Sequence, residues 1–485
     1  RNYQGWTFGT SSAIVLWHDP IVSEPDPGAF ETAPGEAVRL PLDADVVGLF
    51  LGLLPPAFFD ELQRKQNIRQ NARVYTMGVV LWLMIAQRLR SGGSMQTAVL
   101  ELARGLPARF WPKPCRRLSE DHTANVSSNT GAYNKARQQL PRSVVEQSFD
   151  HVFQQLTESA NGSLPALGRR AFLIDGTTVR APHTEALKAL YPPTSNQHGE
   201  SHWPLIRMLV AHDLCTGLAM RGEWGPVNGP KAVGEQRLFD QAIQRMPEGS
   251  VAVGDANFGV FSVAYAAAVR NHPVVLRLTL VRARGLLGGP LTDGIDRRIQ
   301  WRPTKADRQS HPELPPDAHV RGRLIVSEVQ PSNANASFLL CLFTTLLDED
   351  QKEILDLYGK RWNIETDLRS LKSTLRLDEL TCTTPEMVDK EIHLGLMAYN
   401  LVRAVIYTAA EQAGVAPRCY GFTRVKNVIH AFAPLIAAAK TEEEARKITD
   451  RMMYYVGQAR QAKRKRISYP REVWHRSKPF PKRKV

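Results

Sequence analysis

Two short apolar segments of this chain each lead to an aspartate. Residues 171–174 run directly into Asp175, and residues 251–254 run directly into Asp255. Short apolar runs bounded by polar residues are typical of strands buried in a sheet. Helical patterns alternate with these and other strand-like segments, which predicts an α/β core. Because ligand sites in such folds gather at the carboxyl ends of strands, both aspartates are candidate site residues.

A third acid lies in a helical stretch that carries four polar side chains on one face. These residues are Tyr358, Arg361, Glu365 and Lys372. Their spacing of i, i+3, i+7 and i+14 places them within an arc of about 60° on a regular helix. An apolar arc lies beside this stripe, so the stripe is predicted to face a cleft at the edge of the buried surface. Asp367 and Arg369 fall outside it and are predicted to be surface charges.

Three carboxylates from three elements would form an all-oxygen site. Such a site, made of Asp175, Asp255 and Glu365, suits Mg²⁺ or Mn²⁺ beside a phosphate. Two ions of this kind can activate an attacking oxygen and stabilise a leaving one in phosphodiester chemistry. Each acid also has an ordinary explanation. Asp175 can belong to a turn, Asp255 can cap the next helix, and Glu365 can lie on a solvated helix.

The charge of the chain favours a polyanionic partner. Its 485 residues carry a net charge of +14, which points to nucleic acid before a membrane surface. The most apolar run, residues 74–86, is too short to span a bilayer, so no membrane partner is expected. Five scattered cysteines without a CxxC pair favour a reducing cytoplasm over a disulfide framework or zinc knuckle.

The sequence divides into six predicted segments. They are an irregular arm (1–45), a helical DNA-binding domain (46–165), the first part of the core (166–280), a β-rich insertion (281–344), the second part of the core with C-terminal helices (345–456) and a basic tail (457–485). Asp348 or Asp350 is expected to cap the helix that leads into the stripe. The tail is predicted to be extended when free, since residues 460–485 contain eleven Lys and Arg and one acid. The chain begins with Arg1, as expected of a fragment or a processed protein.

The helical N-terminal segment has two interpretations. Its basic residues include Arg73, Arg88, Arg90, Lys135 and Arg137. A helical bundle that presents these side chains together would grip DNA. The alternative is a solvated basic face without a specific partner.

Taken together, these residues resemble the DDE transposases of bacterial insertion sequences, in the insertion-sequence-four group. That group has a Y-x2-R-x3-E-x6-K signature, and the four residues of the stripe match every spacing. Residues 174–178 resemble its first-aspartate block, and residues 254–259 resemble its second. The resemblance covers roughly residues 65–440.

The resemblance implies an RNase H-like catalytic core with a β-rich insertion between Asp255 and Glu365. It implies that Asp175, Asp255 and Glu365 bind two Mg²⁺ ions, for which Mn²⁺ can substitute. It also implies that the other stripe residues contact transposon-end DNA: Tyr358, Arg361 and Lys372. In relatives an aromatic residue of the insertion stacks on a flipped base. Trp301 is the candidate for that role, with an ordinary core tryptophan as the alternative.

The expected function is that of a DNA transposase, which cuts transposon ends and joins them to target DNA by metal-dependent phosphoryl transfer. The freed 3′-hydroxyl would attack either the opposite strand, forming a hairpin, or target DNA. Expected partners are double-stranded DNA and, from the resemblance, a second copy of the chain, in the bacterial cytoplasm at the nucleoid. Two alternatives stay open: an RNase H-fold nuclease without strand transfer, and a domesticated DNA-binding protein.

Overall fold

The N-terminal part of the described chain is helical. The computed structural model describes residues 46–68, 73–90, 93–107, 110–111, 126–160, 167–196, 199–330, 337–439 and 441–461. Six helices precede the first strand in this part: α1 (Val46–Leu53), α2 (Pro56–Lys65), α3 (Met77–Leu89), α4 (Met95–Arg104), α5 (Gly131–Gln139) and α6 (Arg142–Ser159). The predicted arm and nearly all of the basic tail therefore lie outside the described residues.

Eight strands form one mixed sheet. The strands of the described residues are β1 (Ala171–Arg180), β2 (Ser195–Asn196), β3 (Gly199–Glu200), β4 (Leu205–Asp213), β5 (Glu223–Pro226), β6 (Val251–Gly254), β7 (Val274–Arg277), β8 (Ile295–Trp301), β9 (Val320–Val329) and β10 (Phe338–Thr344). β2 and β3 pair only with each other, and the other strands follow the order β5-β4-β1-β6-β7-β10-β9-β8. The predicted α/β core is confirmed.

Ten further helices cover the sheet or follow it. They are α7 (Glu185–Leu190), α8 (Glu235–Ala242), α9 (Phe261–Val269), α10 (Leu280–Leu287), α11 (Lys305–Ser310), α12 (Gln351–Gly359), α13 (Asn363–Arg369), α14 (Pro385–Gln412), α15 (Phe422–Ala437) and α16 (Glu442–Gly457). α14 is 28 residues long and buried along most of its length. A helix that is buried on nearly all sides needs neighbours on every face. α3, α6, α15 and α16 pack against it.

The strands β5, β4, β1, β6 and β7 have the arrangement expected of an RNase H-like core. β4 is antiparallel to both β5 and β1, whereas β6 is parallel to β1 and to β7. Parallel neighbours require a crossover connection. α8 lies in the crossover between β5 and β6, and α9 lies in the one between β6 and β7.

The predicted β-rich insertion does contain three strands, but they extend the core sheet. β10 pairs antiparallel with β7, so that Phe343 lies opposite Leu276. β9 and β8 then continue the same sheet outward. The strand β7 therefore has a partner on each side, and the RNase H-like strands and the inserted strands share one hydrophobic layer.

The N-terminal helices contact the C-terminal half through two of the basic residues that the sequence analysis assigned to DNA, Arg88 and Arg137. Arg88 is 7% exposed, forms an ion pair with buried Glu391, and donates to a backbone carbonyl 288 residues away. Arg137 donates to Cys382 Sγ at 3.2 Å, and Arg90 pairs with a glutamate of α4 at 2.9 Å. Three of the five side chains that were predicted to bind DNA, Arg88, Arg90 and Arg137, thus have partners within the protein. Two are exposed: Arg73 and Lys135. The DNA-binding role of this segment stays a prediction.

One helical stretch of the described residues, Val46–Lys65, is long and apolar enough by composition to cross a membrane. It is interrupted at residues 54–55, where α1 ends and α2 has yet to begin. In the fold 56% of its most apolar window is buried, and Phe50 in α1 is fully buried. This stretch is thus part of the hydrophobic core of the N-terminal helices.

Candidate active site

Asp175 and Asp255 lie side by side at the end of the parallel pair β1 and β6. The last residues of that pair are Ile174 and Gly254, so each aspartate is the next residue of its chain segment. The prediction that β1 ends at Asp175 is wrong. The strand continues to Arg180 because β4 supplies an antiparallel partner beyond the point where β6 stops. Asp175 therefore lies in the middle of a strand, at the position where its parallel neighbour ends.

Asp255 opens a tight turn at the sheet edge. Its Oδ1 accepts a hydrogen bond from the Asn257 backbone N–H at 2.9 Å, and its carbonyl oxygen accepts one from the Gly259 N–H at 3.1 Å. A Cβ at position 259 would overlap the carbonyl oxygen of Arg277, so only glycine allows this close approach. The N-cap of α9 is Val260, so Asp255 is not the cap that the sequence allowed. The turn fixes its carboxylate beside Asp175.

Glu365 lies in a helical stretch whose winding changes along its length. α12 begins at the N-cap Asp350, one of the two predicted caps, whose side chain accepts from the Lys352 N–H. A 3₁₀ turn follows at Lys360–Trp362, then α13, then a π-helical turn at Ser370–Thr374. These turns hold about 3 and more than 4 residues, respectively, instead of 3.6. The regular helix assumed for the stripe is therefore wrong in detail, most of all for its far end.

The Arg361 guanidinium lies among the three acids. Its Nη2 is 3.8 Å from Glu365 Oε1, and its charge also interacts with Asp175 and Asp255. Burial opposes the charge, but Tyr358 and the three carboxylates raise the pKa of Arg361 above its usual value. Tyr358 is 3% exposed, and burial raises the pKa of its phenol. Strand β1, the turn after β6 and the helical stretch from α12 to α13 thus bring five predicted site residues together.

The acids repel one another, and this favours a bound cation. Burial first, and the neighbouring Asp255 second, raise the pKa of Asp175 to about 7, although Arg361 offsets part of the effect. Burial also raises the pKa of Glu365, and the positive charge of Arg361 offsets part of this rise. Within the described ranges, no three acidic, His or Cys side chains are close enough to hold an ion in the present conformation. The donor chemistry fits a hard divalent cation, while Arg361 supplies the positive charge here.

Two predicted DNA contacts are not among these five residues. Lys372 is half-buried in the π-helical turn. Trp301 ends β8 and is 3% exposed. Its ring packs edge-on against Phe343 and Phe261, with centroids 4.8 and 6.0 Å away. The structure thus places Trp301 in the core, the alternative that the sequence left open, with no free face for a base.

A fourth carboxylate lies beside the first two acids, and the sequence analysis did not single it out. Glu235 is the first residue of α8. Its charge interacts with Asp255, and burial raises its pKa while Arg207 offsets the effect. It also contributes to the raised pKa of Asp175. The sequence signal that could have identified Glu235 was an acid at the first position of the helix between β5 and β6.

The prediction of a surface charge is wrong for Asp367. This residue is fully buried and bonds to Arg418 Nη1 through both carboxylate oxygens, at 2.6 and 2.7 Å. Arg403 and the Tyr399 hydroxyl bond to the same carboxylate. Arg369 is exposed, as predicted.

Comparisons with known proteins relate the chain to transposases. Residues 166–401 match the family model described as a transposase DDE domain, which includes Asp175, Asp255 and Glu365. The chain is 25% identical over 285 residues to the transposase InsG for insertion sequence element IS4 of Escherichia coli (strain K12). The match spans 57% of this chain and 61% of that relative. A cryo-EM structure of a piggyBac transposase synaptic complex with hairpin DNA aligns over 84% of this chain and 85% of its own, with 10% identity and a TM-score of 0.39. Residues 166–401 are therefore similar to the transposase DDE domain family, and the resemblance to the insertion-sequence-four group is confirmed.

Proposed function

We propose that this chain is a DNA transposase that cuts transposon ends and joins them to target DNA by metal-dependent phosphoryl transfer. The observation that supports this proposal most directly is the register of β1 and β6. It places Asp175 and Asp255 on adjacent strands at one sheet edge, and Arg361 links both of them electrostatically to Glu365. The net charge of +14 favours the polyanionic substrate.

In this proposal Asp175, Asp255 and Glu365 hold the metal. When bound, a pair of Mg²⁺ ions, or Mn²⁺ in their place, supplies Lewis-acid chemistry at the phosphodiester. Asp175 must give up its proton for this role, since its pKa is about 7 in the metal-free protein. Asp255 stays oriented by the turn that its own side chain closes.

Two residues of the stripe are assigned direct contacts with transposon-end DNA, and Tyr358 is assigned an indirect role through Arg361. Arg361 binds a phosphate oxygen pair through its planar fork, and Lys372 adds a point charge further along the helix. The Tyr358 phenol, held in a buried position beside Arg361, limits the movement of that side chain. Trp301 is left out of the DNA contacts because its ring is enclosed in the core.

The test is strand cleavage on a plasmid that carries the DNA flanking the open reading frame on both sides. Alanine at Asp175, Asp255 or Glu365 should abolish nicking in Mg²⁺ or Mn²⁺ while end binding persists. Asp348→Ala is the matched control, because the Asp348 side chain is 90% exposed and pairs only with an exposed arginine. Nicking at a near wild-type rate by any of the three variants would remove that acid from the site.

Joining separates a transposase from a nuclease of the same fold. Precleaved ends with a free 3′-hydroxyl are incubated with target plasmid and metal, and joined products are counted. A hairpin product on uncut ends would show attack on the opposite strand. Cleavage without joining would favour the nuclease, and binding with neither reaction would favour a domesticated DNA-binding protein.

We further assign general DNA affinity to the basic tail, and the assembled state to a dimer that bridges two ends at the bacterial nucleoid. Removal of residues 462–485 keeps Gln461, whose N–H bonds to the Cys419 carbonyl, and takes away ten of the eleven tail cations. The salt dependence of nonspecific binding should then become shallower, since each phosphate contact contributes about 0.9 to the slope. An unchanged slope would contradict the assignment.

A further inference from the structure

The carboxyl group of Glu235 touches the segments of both strand-end aspartates. On one side it covers the backbone of Gly176, the residue after Asp175. A Cβ built at position 176 would overlap the Glu235 carboxyl carbon and oxygen. On the other side Glu235 Oε2 accepts a hydrogen bond from the Asn257 side-chain amide. One side chain thus bridges β1 and the turn that follows β6.

The next residue of α8 strengthens the second contact. Gln236 Nε2 donates to the Asn257 backbone carbonyl at 2.8 Å and to its Oδ1 at 2.9 Å. The same Asn257 gives its backbone N–H to Asp255 Oδ1. The first turn of α8 therefore holds the residue that orients the Asp255 carboxylate.

The contacts also fix the rotamer of Glu235 itself. Arg207 interacts electrostatically with Glu235, and its guanidinium is anchored by the Val233 carbonyl at 2.8 Å. A carboxylate at the first position of a helix is also favoured by the helix dipole. That ordinary role requires neither the contact with Gly176 nor the bond to Asn257.

We propose that Glu235 is a positioning residue, which sets the separation and orientation of the Asp175 and Asp255 carboxylates for the metal. This inference rests on the proposed function. Its physical basis is that the contacts around metal ligands fix ligand geometry, and their loss typically weakens metal binding about 10- to 100-fold. Glu235 acts on Asp255 through Asn257 and on Asp175 through the backbone of Gly176. The role depends on the size and hydrogen-bond acceptor of Glu235 and not on its negative charge.

The experiment measures Mn²⁺ binding to the full chain without DNA, by calorimetry or by electron paramagnetic resonance of free Mn²⁺. Glu235→Ala should weaken binding about 10-fold or more. Glu235→Gln keeps the shape over Gly176 and an oxygen for Asn257, so it should bind nearly as the wild type does. Glu185→Gln is the control, since Glu185 is the 90% exposed first residue of another helix and pairs with a lysine.

Gly176→Ala tests the same contact from its other side. The added methyl displaces the Glu235 carboxyl, so it should weaken Mn²⁺ binding as well. In the Glu235→Ala background it should cause little further loss, because the two changes remove one interaction. Melting curves in EDTA would reveal whether Glu235→Ala folds poorly. In that case Gly176→Ala still tests the contact.

The outcomes separate this inference from the proposed function. Equal affinity in Glu235→Ala and the wild type overturns the positioning role alone. Equal loss in Glu235→Gln and Glu235→Ala also overturns it, since the charge would then be what matters. Absence of Mn²⁺ binding by the wild type overturns the metal-dependent function and this inference together.

Discussion

Glu365 and Asp367 are two residues apart on α13 and face opposite environments. The Glu365 side chain is 31% exposed and lies beside Arg361 in the candidate site. Asp367 is completely enclosed and accepts hydrogen bonds from Arg403, Arg418 and a tyrosine hydroxyl. Because one helical turn carries both, the buried ion-pair cluster around Asp367 also fixes the position of Glu365. Arg403 and Arg418 of the C-terminal part of the chain thus hold Glu365 in position through Asp367.

Asp367→Asn should destabilise the fold strongly. It leaves the guanidinium groups of Arg403 and Arg418 enclosed without their counter-charge, which typically costs about 3–5 kcal/mol. Urea denaturation of the metal-free protein measures this free energy of unfolding. Asp348→Asn, at a 90% exposed side chain, should change it little. A wild-type midpoint for Asp367→Asn would show that the cluster does not support the fold.

The destabilisation should also depend on pH. Burial alone would raise the pKa of Asp367, but Arg418 and then Arg403 lower it below its usual value. A carboxyl with a lowered pKa stabilises the fold above the unfolded pKa, about 4, and loses that effect as pH falls through the folded value. The difference between wild type and Asp367→Asn should therefore shrink in acid below about pH 4.

Local sequence signals identified two aspartates that do lie next to each other in the fold, and they failed at Asp367 for a physical reason. An apolar run followed by Asp175 or Asp255 needs only neighbouring residues to be recognised. The partners of Asp367, in contrast, lie 36 and 51 residues further along the chain. Helical periodicity predicts the direction of a side chain. It does not reveal the cations that other elements place around that side chain. The α/β class and the neighbouring positions of Asp175 and Asp255 could be predicted for this reason, whereas the buried polar cluster could not.

Irregular helical winding and the pairing of distant strands account for the other differences between prediction and structure. The stripe spacing assumed about 100° per residue, but a 3₁₀ turn and a π turn interrupt the helix around Glu365. The insertion was predicted as a separate β-rich unit, and no local pattern shows that β10 pairs with β7. Strand pairing of this kind depends on residues that are distant in sequence.

Asp175→Asn should stabilise the metal-free protein at alkaline pH. Burial and Asp255 raise the pKa of Asp175 to about 7. A carboxyl whose pKa is raised by folding favours the fold while protonated, and the ionised form opposes it as pH rises from about 4 through 7. The variant stays neutral, so its advantage should grow over this range to the order of a few kcal/mol.

Melting curves between pH 4 and 8 in EDTA provide the measurement for Asp175→Asn. Addition of Mg²⁺ should stabilise the wild type and leave the variant nearly unchanged, because only the wild type retains the ligand. A pH-independent difference between the two proteins would contradict the raised pKa. Asp348→Asn again serves as the exposed control.

Arg361→Ala should shift cleavage and metal binding in opposite directions. Loss of a charge that stabilises a reacting phosphate typically slows the reaction about 10²- to 10³-fold. In the absence of DNA, however, Arg361 competes with a cation for the same three carboxylates. Mn²⁺ should therefore bind the variant at least as tightly as the wild type. Arg361→Lys should recover part of the cleavage, since it keeps the charge but loses the fork.

Nicking and Mn²⁺ titration of the same preparations test both shifts for Arg361. Arg298→Ala is the matched control, because the Arg298 side chain is 71% exposed on β8. Weaker Mn²⁺ binding by Arg361→Ala would mean that the arginine supports the metal site instead of competing with the ion.

Trp301→Ala should damage stability before it damages chemistry. The indole is 3% exposed and packs against Phe343 and Phe261, and truncation of such a ring typically costs about 3–5 kcal/mol. Trp203→Ala removes a ring that is 44% exposed and should cost far less. Denaturation midpoints and nicking rates are measured below the melting range of both variants. A stable Trp301→Ala protein with slowed nicking would restore the base-stacking role. A destabilised protein that nicks at the wild-type rate while folded would show that Trp301 belongs to the core alone.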